Sequence, residues 1–185
     1  MAPRIYVTSL TDYNAGVLHG EWIDADQDAD DIMSEVQEML KASPTARKYG
    51  DVAEEWRIDD YDEFGGISIS EWDSFERVAK LAALIEKHPP ALVAYFVNEG
   101  HELDAIGDLI DDRLLHTSDE WSEERAVTDW HWEQLNERND IPQDIKDSYL
   151  WELAAAMASS DINGGVVHTI AAGSPSERTY YVLSN

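Results

Sequence analysis

Thirty-nine acidic residues and six histidines are the side chains of this 185-residue chain with the means for proton or metal chemistry. The histidines, His19, His88, His101, His116, His131 and His168, occur singly. None has the H-E-x-x-H spacing that turns two imidazoles toward one zinc ion. Asp24, Asp26, Asp28 and Glu35 fall at positions 1, 3, 5 and 12 of an EF-hand loop. Ala29, however, stands where that loop needs Gly, and Asp31 where an apolar residue is usual. The run 18–23 before it reads as a strand, so loose cation condensation is expected rather than a specific calcium site. There is no cysteine, hence no disulfide, thiolate metal site or thiol nucleophile. The phosphate-binding glycine loops and the G-x-S-x-G elbow are missing. No carboxylate pair stands out for acid–base catalysis. The expectation is a protein without catalytic residues, metal or cofactor: not an enzyme.

The acid then asks for another explanation. Thirteen basic residues leave a formal charge of −26, yet the chain carries seven Trp, eight Tyr and 43% hydrophobic residues. Disordered acidic tails lack such aromatics. The charge therefore sits on a folded surface, and its field repels nucleic acid and attracts proteins that bind nucleic acid. It also disfavours anionic membranes. The longest apolar run, 91–97, is far short of the roughly 20 residues that span a bilayer. No secretory signal pattern opens the chain. A soluble, cytoplasmic protein that binds neither nucleic acid nor membrane is expected.

The elements that must hold this charge follow from periodicity. Residues 4–10 alternate as a strand, and 17–23 read as a second after the turn residues Asp12, Asn14 and Gly16. Ile32, Val36 and Leu40 recur at i+4 in a helix over 28–41, ended by Ser43-Pro44. Residues 56–61 supply a third strand, and Gly65-Gly66 marks a boundary. Ser70 and Asp73 resemble a capping box ahead of Phe75, Val78, Ala79, Ala82 and Ile85. Short helices follow over 91–97 and 102–115, the second with Leu103, Ile106, Ile110 and Leu114 inward. A second box, Thr117 with Glu120, opens a helix to about Arg138. Pro142 starts the next at its first turn, running to about Ala158. A hairpin of 166–170 and 179–183 closes the chain. The fold class is α+β in three small domains: an antiparallel sheet with one helix (1–64), a helical unit (65–117), and helices with a β-hairpin (118–185).

Placed on these elements, the acids form rows. Asp28, Asp31, Glu35 and Glu38 line one side of the first long helix, and Asp104, Asp108, Asp111 and Asp112 line a later one. On the next, Asp119 with Glu123, Glu120 with Glu124, Asp129 with Glu133 and Glu133 with Glu137 are like-charge pairs at i,i+4. Each pair costs about 0.2–0.5 kcal/mol, roughly 1–2 kcal/mol for the four. Between Glu99 and Glu152 there are 17 acids and four bases. A solvated or salt-adapted surface is one reading. Phosphate mimicry is the other: carboxylates one helical turn apart recur about every 5.4 Å, and several helices side by side approach the charge density of duplex DNA. Trp121, Trp130 and Trp132 are expected in the core, because the field around them repels nucleic acid.

Specific words in the chain sharpen the choice. Arg4-Ile5-Tyr6-Val7, Tyr13-Asn14-Ala15-Gly16 and Leu18-His19-Gly20-Glu21-Trp22-Ile23-Asp24 resemble the opening of the ArdA antirestriction proteins. The similarity continues through Ile32, Met39-Leu40, Ser43-Pro44, Glu54-Glu55-Trp56, Asp59-Asp60-Tyr61 and 70–75, then weakly at Tyr149, Ala155, Met157 and Asp161-Ile162. It is dense only to about residue 86, and the chain departs from the pattern around 27–30 and across 88–139. The resemblance implies an elongated, curved chain of three domains, a homodimer formed through the C-terminal domain, and an origin on mobile elements. It implies a DNA mimic that fills the DNA channel of type I restriction-modification enzymes. Two rivals stay open: a mimic aimed at another DNA-binding protein, and an acid-rich enzyme from a salty cell.

Overall fold

A computed structural model describes residues 2–185, with eight helices and two small antiparallel sheets, an α+β protein. The described chain divides into two compact units, Met1–Asp104 and Ala105–Asn185.

In the first unit the strands β1 (Arg4–Ser9), β2 (Gly20–Asp24) and β3 (Trp56–Asp62) form a sheet in the order β2-β1-β3. Alternation along β1 sends Ile5 and Val7 inward, both fully buried with Ile23 and Ile58. Helix α2 (Ala29–Lys41) covers that face with Ile32, Val36, Met39 and Leu40. The short helix α1 (Leu10–Asn14) interrupts the expected run from strand to turn. Ser9 caps it, its side chain accepting the Asp12 N–H. Ser43-Pro44 does end α2, but it also begins a helix the sequence reading lacked, α3 (Pro44–Tyr49). Ser43 is its N-cap, accepting the Ala46 N–H at 3.0 Å, and Pro44 occupies the first turn, where no N–H is needed.

Helices α4 (Phe75–Lys87) and α5 (Pro90–Asn98) complete this unit. The buried positions of α4 are Phe75, Val78, Leu81 and Ala82; Ala79 and Ile85 are half-buried. Its cap is Ser74, not Ser70. Asp73 does accept the Ser70 N–H at 2.9 Å, but within the preceding turn. At the expected boundary, Gly65 has φ +62°, and a Cβ there would meet Pro90 Cβ at 2.3 Å. Gly65→Ala is therefore expected to lower stability by roughly 1–3 kcal/mol, read as a shift in the denaturation midpoint at unchanged slope.

Helix α6 (Leu103–Arg113) ends earlier than expected. Leu114 and Leu115 belong to a strand, β4 (Leu114–Ser118), which local periodicity could not separate from the helix. Helix α7 (Glu123–Glu137) starts at the Ser122 cap, so the box expected at Thr117 and Glu120 is not formed; Thr117 lies in β4. Pro142 is the cap of α8 (Gln143–Asn163), which runs five residues beyond Ala158. Strands β5 (Val167–Ser174) and β6 (Glu177–Ser184) form the hairpin, turned by Pro175-Ser176, and β4 joins it in the order β4-β6-β5. Ala126, Val127, Ala158, Val167, Tyr180 and Val182 make one core cluster, against which Trp130 and Ile162 pack. Leu135, Leu150 and Ala154 make a second between α7 and α8, flanked by Trp132 and Ile141. Trp130 and Trp132 thus lie against the core as expected. Trp121 does not: it is 74% exposed, because α7 begins after it, and the Arg125 guanidinium lies 4.2 Å from its ring centroid.

Candidate functional surface of unpaired carboxylates

The apolar side of α2 turns Ile32, Val36 and Leu40 inward, and this alone forces Asp31, Glu35 and Glu38 outward. Asp28 is the N-cap residue rather than a member of the helix, and its side chain makes no capping bond. All four acids are exposed. Glu35 accepts a hydrogen bond from Gln27 Nε2 at 2.8 Å. The other three have no ion pair among the described residues. Asp30 and Asp31 lie in the first turn, where the helix dipole favours negative charge.

On α6 the same logic holds. Ile106 and Ile110 are buried, and Asp104, Asp108, Asp111 and Asp112 are exposed. Asp104 is neutralised: Lys80 Nζ reaches it at 2.7 Å. Asp108 and Asp112 have no ion pair among the described residues.

The third group is regrouped by the true start of α7. Asp119 and Glu120 precede the helix, so their expected pairings with Glu123 and Glu124 are not intrahelical and carry no i,i+4 cost. Asp119 accepts the Thr179 hydroxyl at 2.8 Å. Glu120 accepts from Arg125 Nε at 2.7 Å, a contact that raises the arginine's pKa against its partial burial. Glu123 and Glu124 stand exposed in the first turn of α7, again favoured by the dipole. Within the helix, Asp129 and Glu133 do face each other at i,i+4, but His116 of β4 stands with Nε2 3.1 Å from Asp129 and Nδ1 3.3 Å from Glu133. The Ser118 hydroxyl also donates to Asp129 at 2.8 Å. Asp129 is therefore half-buried and structural. Glu133 and Glu137 remain exposed, and theirs is the like-charge pair left without a base between them.

A set of acids was missed by a search for helical spacing. Strand pairing places Asp24 and Asp62 on either side of Arg4, and Trp22 and Asp60 on either side of Tyr6. Arg4 bonds Asp62 at 3.0 Å and lies over the Trp22 ring at 4.6 Å. Asp59 sits beside Thr8 and Arg57. Period two along β3 was the available signal.

Among the described residues no group of three His, Asp or Glu gathers with metal-binding geometry. What the surface offers is displayed negative charge. Asp28, Asp31, Glu38, Asp108, Asp112, Glu123, Glu124 and Glu137 are exposed and without ion pairs among the described residues. No helix among the described residues is long and apolar enough to cross a membrane.

Fold and surface together define a folded α+β protein that presents rows of carboxylates on rigid helices. The family model described as "Antirestriction protein (ArdA)" matches residues 5–170, and the chain belongs to that family. No curated protein matches the chain.

Proposed function

We propose that this protein is a DNA mimic which occupies the DNA-binding channel of a type I restriction-modification enzyme and blocks it without catalysis. The observation that carries the reading is the rows on α2, α6 and α7, exposed and largely without bases, in a chain of the antirestriction family. A channel built for phosphates supplies the Lys and Arg that the chain itself withholds. The reading includes the three-domain arrangement set out above, a cytoplasmic location and a homodimer. Support for the dimer comes from α8, where Ile145, Tyr149, Leu153 and Met157 recur at i+4 and are all exposed. One face of a 21-residue helix left this apolar is what a symmetric partner would cover.

Competition tests the reading. Excess specific duplex should displace the protein from the enzyme, and binding should weaken as salt rises, through screening and counterion release. Its slope should be shallower than that of DNA, since folded apolar surface contributes too. A stable ternary complex of enzyme, duplex and this protein would sink the idea. So would affinity that does not change with salt. Titration of a nucleoid protein or a nuclease in place of the restriction enzyme would move the mimicry to another target.

A further inference from the structure

A groove of about 640 Å³ opens within the first unit, between the segment leading into β3 and the turn before α4. Leu10, Glu54, Glu55, Trp56, Trp72 and Ser74 line it. Its aromatic walls are differently held. Trp56 is clamped, its ring stacked on Phe75 with centroids 4.2 Å apart and planes at 19°. Trp72 is 65% exposed, a large apolar surface that gains little from folding.

Both rims are fixed by backbone bonds. Leu10 N–H donates to the Glu55 carbonyl at 3.0 Å, and Ile58 N–H to the Glu71 carbonyl at 3.1 Å. The turn carrying Trp72 is tied by its own N–H to the Ser70 hydroxyl and by Ser70 N–H to Asp73. The groove is thus preformed, which lowers the cost of filling it. Its charges are unbalanced. Asp73 is satisfied by Ser70 and by Arg77 at 3.4 Å. Glu54 and Glu55 are exposed and have no ion pair among the described residues.

We propose that this groove is a receptor for an arginine side chain of the protein partner: the planar guanidinium stacks on an indole face while Glu54 and Glu55 take its N–H groups. Two indoles beside two free carboxylates match a flat cation that is both a π partner and a fork of donors. Lysine, a compact and strongly hydrated charge, fits the aromatic walls less well. The proposal rests on the mimic reading in expecting a basic partner. It adds a contact that a phosphate surface does not make, one sensitive to side-chain shape as well as charge.

The test uses the full chain and three short peptides differing at one residue: arginine, lysine, and citrulline as the neutral isostere of arginine. Indole N–H signals are followed by NMR, with Trp56 and Trp72 assigned from Trp56→Phe and Trp72→Phe. The arginine peptide should shift the Trp72 and Trp56 signals saturably and leave most of the other five Trp unmoved. The lysine peptide should bind several-fold more weakly, and the citrulline peptide should not bind. Glu54→Gln with Glu55→Gln should weaken arginine binding about tenfold, as should Trp72→Ala, in proteins whose melting is unchanged. Equal shifts from arginine and citrulline, or arginine binding intact in Trp72→Ala, would overturn the groove. Neither result touches the duplex competition, which stands or falls on the acid rows. Conversely, a chain that fails to compete with duplex but still binds arginine at Trp72 would keep the groove and remove the mimicry.

Discussion

Changing Asp104, Asp108, Asp111 and Asp112 together to Asn is expected to weaken inhibition of DNA cleavage by about 30-fold, while each single change costs less than about fivefold. A carboxylate–base contact at a wetted surface is worth about 0–1 kcal/mol, and 1.4 kcal/mol is tenfold. Four such contacts therefore reach roughly 2 kcal/mol only when lost as a set. The singles should not be equal. Asp104 already holds Lys80 at 2.7 Å. Replacing it removes one negative charge and releases one positive charge beside the row, whereas replacing Asp108 or Asp112 only removes a charge. Thermal melts of all five variants should lie close to the parent, since every substituted side chain is exposed. Dose–response curves against DNA cleavage are the measurement. One Asp→Asn change that abolishes inhibition in a folded protein would replace a collective surface with a single essential residue.

The largest effect on stability is expected at Asp12, which bears no part of that surface. Its side chain is fully buried, accepting the Thr45 N–H at 2.9 Å and joining α1 to the first turn of α3. Burial pushes the carboxyl pKa up, but hydrogen bonding, from Thr45 foremost, outweighs it and holds the group well below the ordinary carboxylate range, although Oδ2 is buried without a hydrogen-bond partner among the described residues. The sign follows. A depressed folded-state pKa contributes stability that is fully present above the unfolded value of about 3.9 and is lost as pH falls through the folded value. Asp12→Ala should therefore cost about 3 kcal/mol near neutral pH, from a lost charge-assisted bond and a stranded buried donor. Below about pH 4 the gap between parent and variant should narrow. Denaturant titrations at pH 7 and pH 3 check this. A gap that is constant across that range would mean that Asp12 acts by shape and not by charge.

How much of this was legible beforehand depends on the range of the signal. Elements with a strong internal period were found nearly to the residue: β1 and its buried Ile5 and Val7, α2 with Ile32, Val36 and Leu40, and β3. Local signals failed where a distant partner decides. Leu114 and Leu115 continue an apolar pattern compatible with α6, and only the pairing of Leu114 with Leu183 and of His116 with Val182, on either side of Leu115, makes this stretch strand. Thr117 and Glu120 satisfy a capping spacing, but Ser122 takes the cap because β6 has already claimed Thr117. The acid rows of α2 and α6 were readable because burying one helix side exposes the other. The partners that modify those rows, Lys80 on Asp104 and His116 between Asp129 and Glu133, come from elsewhere in the chain and leave no trace in spacing. Trp121 was misplaced for the same reason as Glu120: the helix that would have buried it starts two residues later.

The two sheets also set different schedules for a chain emerging from the ribosome. In the first, the central strand β1 is made before both of its neighbours, so each later strand finds its template waiting. In the second, the central strand is β6, made last, and β4 and β5 have no neighbour in the sheet until Glu177–Ser184 appears. The α2 row is thus on a unit able to fold while synthesis continues. The α7 row belongs to a unit whose sheet closes only when β6 has been made. Nascent chains halted before β6 would carry the first row beside a closed sheet and the last beside a sheet still open, which makes the order of assembly a property of strand placement rather than of sequence composition.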